Sequence, residues 1–339
     1  MSANEANFQP PPPPATPPAE AKPPRPVKLR PIAIGAFVLG LIVLGVTIAG
    51  LIPGGWSAAI GLCFFGVLLF ALTFIRLPDI PANSATNEPP LSFFDKLSGI
   101  FFEPSRVFRN LREHPQWLGA FLIIGVLSAI YTFCFVQRIT PERMVEHNTQ
   151  KMSEMQPPFR PPDDEIERQK VAGLTALKNP ASRAASVLSS FVGIFVLAAF
   201  VAALSLLGTL VFGGRINYWQ SLAVVFYSWL PVAIILRLLG LVILYIKAPE
   251  DLHPILNAET TLQDNLGILF SPADQPILFV LASFIGLTSF YGLWLRAKGL
   301  HLGATRTSSG AAWGVAIMLW VLALLFVVTL TALFPTFIS

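Results

Sequence analysis

Few side chains in this sequence are placed to do chemistry, and the most conspicuous is an arginine. Arg237 lies within the apolar run Ser221–Ile246, which also holds Pro231. A guanidinium at the centre of a bilayer costs about 2.5–3.5 kcal/mol on insertion scales. The other apolar runs contain no Asp or Glu to pair with it. Two readings follow. Arg237 contacts an anion or headgroup inside a helical bundle, or it snorkels to the surface from a helix broken at Pro231.

Other reactive residue types are scattered. His114, His147, His253 and His301 fall in four separate connecting stretches, so no metal-ligand spacing is formed. Cys63 and Cys134 each lie inside an apolar run without CxxC spacing, which argues against a disulfide framework or a zinc site. HExxH, GxSxG and a Walker glycine-rich loop are all absent. Asp163, Asp164 and Glu165 sit where charges alternate in sign, the usual mark of a solvated face. The chain is therefore expected to be non-enzymatic, with neither metal nor cofactor.

Composition sets the elements that carry these residues. The 339 residues are 54% hydrophobic and 12% charged, with a mean hydropathy of +0.64. Soluble domains carry about 25% charged residues. An all-α, polytopic transmembrane helical bundle is expected, because lipid leaves an open backbone unsatisfied. The net charge of +4 is small, and membrane orientation accounts for it without nucleic acid. The expected partners are the lipid bilayer and proteins at the cytoplasmic face. The oligomeric state is not legible.

Seven spans are predicted. Residues 1–31 are proline-rich and read as a disordered, polyproline-II-like cytoplasmic tail. They separate the start of the chain from its first apolar segment by more than a secretory signal allows, so that segment reads as a retained helix. Residues 32–75 form a transmembrane hairpin, Ile32–Ile52 and Trp56–Ile75, turned at Pro53-Gly54-Gly55. Gly35, Gly40, Gly45 and Gly50 recur every five residues, which does not bring them to one helix face. They read as small residues that let neighbours approach, not as a GxxxG seam. Residues 76–90 are a linker.

Residues 91–339 hold five further runs of span length, Leu118–Gln137, Val187–Phe212, Ser221–Ile246, Pro276–Leu295 and Trp313–Leu333. The polar loop Arg138–Ser186 contains two helix-forming pieces, the second starting at Pro162-Asp163-Asp164. Ahead of these runs, Leu91–Trp117 is apolar and basic at once. Phe94, Leu97, Phe101, Val107, Phe108 and Leu111 recur at helical spacing, with Lys96, Arg106, Arg109 and Arg112 elsewhere on the surface. Pro104 and Pro115 divide it into helices over Ser92–Phe102 and Pro104–Arg112, with a new helix starting near Pro115. The four basic residues are candidate membrane-surface or partner contacts, from helices lying flat on the bilayer or packed on other protein.

Charge predicts the orientation. With the N-terminus inside, thirteen Lys and Arg fall in the inner segments, and the short outer connections hold only Lys247. Trp117, Trp219, Trp294 and Trp313 fall at the inner ends, as an aromatic belt would.

From Phe93 onward the chain resembles the Yip1 family, in its bacterial branch. The resemblance rests on the entry segment FFDKLSGIFFEPSRVFRNLREHPQW, on five spans after it, and on a polar, helix-prone loop after the first span. It rests also on FYSWLP, Phe226–Pro231, which is similar to the family's Tyr-Ser-x-x-Pro patch. The resemblance implies a five-helix Yip1-like core following the N-terminal hairpin, with a cytoplasmic N-terminus and the C-terminus across the membrane, here the bacterial inner membrane. The DLYGP motif of eukaryotic members is absent, so their binding of Rab-type GTPases does not carry over. What it implies here is a membrane-organising or partner-recruiting scaffold. The alternative is a transporter or channel for a small or lipidic solute. Tyr227, Pro231 and Arg237 are the intramembrane candidates.

Overall fold

A computed structural model describes residues 29–48, parts of 59–73, 89–155, 160–254, 262, 264–272 and 274–333. Most of the proline-rich tail, the hairpin turn at 53–55 and most of the 76–90 linker lie outside the described residues. The first helix, α1 (Leu29–Ile48), is touched by residues of the 59–70 segment at two glycines. A Cβ on Gly40 would stand 2.7 Å from Cys63, and one on Gly66 would stand 2.7 Å from Phe37. Gly35 and Gly45 face open space, as expected of a five-residue recurrence that marks no seam. Phe64 and Phe200 rings at 5.8 Å attach this hairpin to the rest of the bundle.

Two short helices follow, α2 (Phe93–Phe102) and α3 (Pro104–Glu113). Ser92 caps α2 by accepting the Asp95 N–H at 3.1 Å, and Pro104 occupies the first turn of α3, where its missing N–H costs nothing. The next helix, α4 (Leu118–Ile139), starts three residues later than expected. Pro115 directly follows the α3 cap residue His114, where proline stops the helix behind it and does not open the one ahead.

The polar loop folds as expected into a helical pair, α5 (Pro141–Glu154) and α6 (Asp163–Lys178), joined by a Lys178–Glu142 ion pair at 2.6 Å. Asp163, Asp164 and Glu165 pair with Arg160 and Arg168 on exposed surface. Then come α7 (Pro180–Val211) and α8 (Tyr218–Ile246), separated by a turn in which Gly213 takes φ +74, a left-handed conformation open to glycine. Asn217 and Gln220 close a reciprocal capping box at the start of α8. The chain ends in α9 (Pro276–Ser283), α10 (Leu287–Gly303) and α11 (Ser309–Leu333).

Among the described residues, four helices are long and apolar enough to cross a membrane: α4, residues Ser189–Val211 of α7, α8 and α11. The sequence predicts seven spans, and one of the remaining three is corrected outright. Pro276–Leu295 is not a single helix. It breaks at Phe284–Gly286, between α9 and α10. Backbone from the preceding loop pairs with the break: Leu266 N–H donates to Ile285 O at 3.0 Å and Leu287 N–H to Asp264 O at 3.2 Å. A Cβ on Gly286 would lie 2.7 Å from the Asn265 Cβ, so this approach requires glycine. Asp264 then accepts the Thr288 N–H at 2.7 Å, capping α10. The freed backbone groups are thus satisfied by protein, the condition for a broken helix at membrane depth.

The core is centred on the first half of α8, where Leu222, Ala223, Val224, Val225 and Phe226 are all fully buried. A helix apolar on every side is an interior helix. Trp117 and Trp219 stack at 6.4 Å, bringing the starts of α4 and α8 to one end of the bundle. Thr305 N–H donates to Arg215 O at 2.8 Å, placing the α10–α11 turn at that same end.

Candidate functional site

At that end, α2 and α3 form a platform. Its apolar stripe is spent on protein: Ile100, Val107, Phe108 and Leu111 are fully buried in the core. Gly299 of α10 gives Phe108 its seat, since a Cβ there would meet the ring at 2.9 Å. For α3 the packed-on-protein reading therefore replaces the flat-on-membrane one, because a glycine-floored groove between α8 and α10 accepts the stripe. Asn110 fastens the incoming chain by accepting from Leu91 N–H and donating to Pro89 O. Gln220 donates to Arg112 O at 2.6 Å and ties α3 to α8.

The four basic candidates separate. Lys96 is 1% exposed and donates to Gln116 Oε1 at 2.7 Å, so it is withdrawn from the surface, and burial pushes its ammonium below the usual lysine range. Arg112 is half-buried beside Glu113 at 3.8 Å. Arg106, paired with Glu103 at 3.6 Å, and Arg109 remain outward. On α2, Phe94 is 75% and Phe102 85% exposed. Phe93 rests on Gly119 and lies 5.6 Å from Phe94, so this aromatic edge continues into the exposed Leu118 and Leu122 of α4.

The second site is a cavity of about 630 Å³ between α4, α7, α8, α10 and α11. Arg237 lines it, together with Ser228 and Trp229 from the same helix. So does Arg296, which sequence counting assigns to an inner-end cluster. Arg237 lies 5.1 Å from the Tyr131 ring and Arg296 5.9 Å from the Trp229 ring. Cation–π contacts of this kind contribute roughly 0.5–2 kcal/mol, less than the roughly 2.5–3.5 kcal/mol cost of a central arginine. Ser128, Thr132, Thr288 and Ser289 face the same space.

These observations bear on kinship. A match to the Yip1 domain covers residues 98–330. The chain belongs to the Yip1 family. No curated protein and no solved structure matches it.

Within the Yip1 domain the FYSWLP patch divides by face. Tyr227 and Pro231 point into the buried core, whereas Ser228 and Trp229 line the cavity. α8 runs unbroken through Pro231, so the expectation of a helix broken there does not hold. Proline removes the N–H that would serve the Tyr227 carbonyl, and α8 continues through the buried Pro231 without that bond. Of the three intramembrane candidates, only Arg237 reaches the cavity. Sequence reasoning missed Arg296, Thr288 and Ser289. The signal for the last two was a glycine followed by hydroxyl residues within an apolar run, Gly286-Leu287-Thr288-Ser289.

Proposed function

We propose that this protein is a non-enzymatic integral membrane protein that organises the membrane or recruits a partner through its platform. The platform faces the cytoplasm, in the inner membrane of a bacterium, with the C-terminus on the opposite side. The observation that carries this reading is the division of α2 and α3. Their buried stripe holds them rigidly on the bundle, while Phe94, Phe102, Arg106 and Arg109 stay outward. An aromatic edge continuous with a lipid-facing helix suits the bilayer interface, and outward arginines suit anionic headgroups or an acidic partner surface. Crosslinking with mass spectrometry in native membranes tests it. The wild-type chain should yield a reproducible partner set that the double variant Arg106→Ala, Arg109→Ala loses while still folding. An empty wild-type set, or one the variant retains, contradicts the reading.

A second reading, passage of a small or lipidic solute through the bundle, is favoured by the arginine-lined cavity. It requires flux in reconstituted vesicles that Arg237→Ala abolishes in a folded protein.

A further inference from the structure

The cavity carries a charge pattern with a specific chemical meaning. Two guanidiniums line it, and among the described residues no carboxylate does. The Arg296 Nε is shielded from solvent and has no hydrogen-bond partner among the described residues. Trp229, the ring beside Arg296, lies eight residues before Arg237 on α8, a rise of about 12 Å. The two cations are therefore offset along the membrane normal and do not share one point. Ser190 and Ser228 return their protons to their own helices, at Ser186 O and Val225 O. Donors facing the cavity are then supplied by Ser128, Thr132 and Ser289 as well as by the arginines. The leading N–H groups of α10 are already taken by Asp264, so the guanidiniums, not the helix end, supply the attraction for an anion.

We propose that this cavity binds a phosphate ester, with Arg237 and Arg296 as its cationic contacts. Guanidinium forks match phosphate oxygens in geometry and keep their charge in apolar surroundings. A volume of about 630 Å³ falls within the usual range of ligand sites, roughly 300–1,000 Å³, and exceeds what a bare inorganic anion fills. At the rim, Ser190 and the 56% exposed Leu197 of α7 leave the cavity accessible from the side of the bundle. The headgroup of a phospholipid and a soluble phosphate ester share this chemistry. The inference deepens the solute reading but needs only occupancy: binding without flux removes that reading and leaves the site standing.

The test uses the full chain in phosphatidylcholine nanodiscs doped with photoactivatable phosphatidic acid. In the wild type, crosslinks should map to Ser190–Leu197 and Thr288–Arg296. Retention of phosphatidic acid in native mass spectrometry should fall ~tenfold or more in R237Q and in R296Q, and stay unchanged in R109Q. Glycerol 3-phosphate that displaces the crosslink assigns the site to a soluble ester, and failure to displace it assigns the site to lipid. Crosslinks confined to the outer face of α4 around Leu122, or retention in R237Q and R296Q equal to that of the wild type, overturn the proposal. So does equal competition by oleate, which shows that any anion suffices. Should either variant fail to fold, the wild-type crosslink map decides.

Discussion

Asp264 and the two cavity arginines show how few polar side chains set the inside of this bundle. Among the described residues, Asp264 is the only acid bonded at the α9–α10 break, where it takes the Thr288 N–H through its carboxylate and the Leu287 N–H through its carbonyl. Losing a cap costs about 0.5–2 kcal/mol in water, and an unpaired N–H at membrane depth has no solvent to rescue it. Asp264→Ala should lower the thermal midpoint of the detergent-purified protein measurably, while Asp264→Asn, which keeps an acceptor, should recover most of it. Equal loss in both would show that capping is not what the residue supplies. At this scale the sequence was partly legible. Arg237 stood out because it is the only charged residue well inside an apolar run of the sequence. Arg296 did not, because it directly follows the predicted run Pro276–Leu295 and so counted as a flanking charge. Lys96 looked like a surface cation and is buried, since composition does not say which face of a short helix another helix will cover.

At the scale of elements, apolar length read four of the spans well and misread the fourth pass through the Yip1 domain, Pro276–Leu295. An uninterrupted apolar run looks the same whether the helix is continuous or is broken by distant backbone, and Leu266 and Asp264 lie outside the run they interrupt. The helical pair α5–α6 was legible because proline and acids mark its start. What it holds was not. Arg143 donates to the carbonyls of Pro249, Glu250 and Leu252, and Arg138 to that of Lys247, clamping the segment after α8. His253 of this segment meets His147 of α5 edge-on at 5.0 Å. Burial first, and then His147, Lys151 and Arg143 nearby, push His253 down to about 4; burial also lowers His147, with Glu154 opposing. Between the ordinary histidine value near 6.5 and about 4, the released segment binds protons that the docked one refuses. Docking is therefore complete above that window and is lost as pH falls through it. Amide exchange in residues 247–254, corrected for intrinsic rates, should rise roughly tenfold from pH 7 to pH 5. The rise should vanish in a His147→Gln, His253→Gln variant. Unchanged exchange in the wild type would show that the pair is indifferent to protonation.

For the molecule as a whole, one arrangement links the lipid-facing helices, the platform and the cavity. α4, α7, α8, the α9–α10 pair and α11 alternate in direction, so that the turns at 114–117, 212–217 and 304–308 share one end with the platform. Among the described residues, α4, Ser189–Val211 of α7, α8 and α11 are the candidate spans of this arrangement. On the orientation proposed above, the platform end, where the connecting segments are positively charged, faces the cytoplasm. The cavity lies between the two ends, with Arg296 nearer the platform and Arg237 nearer the far side. The measurement that bears most directly on this arrangement is compartment-specific reporter fusion at residue 90 and after Ser339, in intact cells. The fusion at 90 should report the cytoplasm and the fusion after Ser339 the opposite side. Both fusions reporting the same compartment would contradict it.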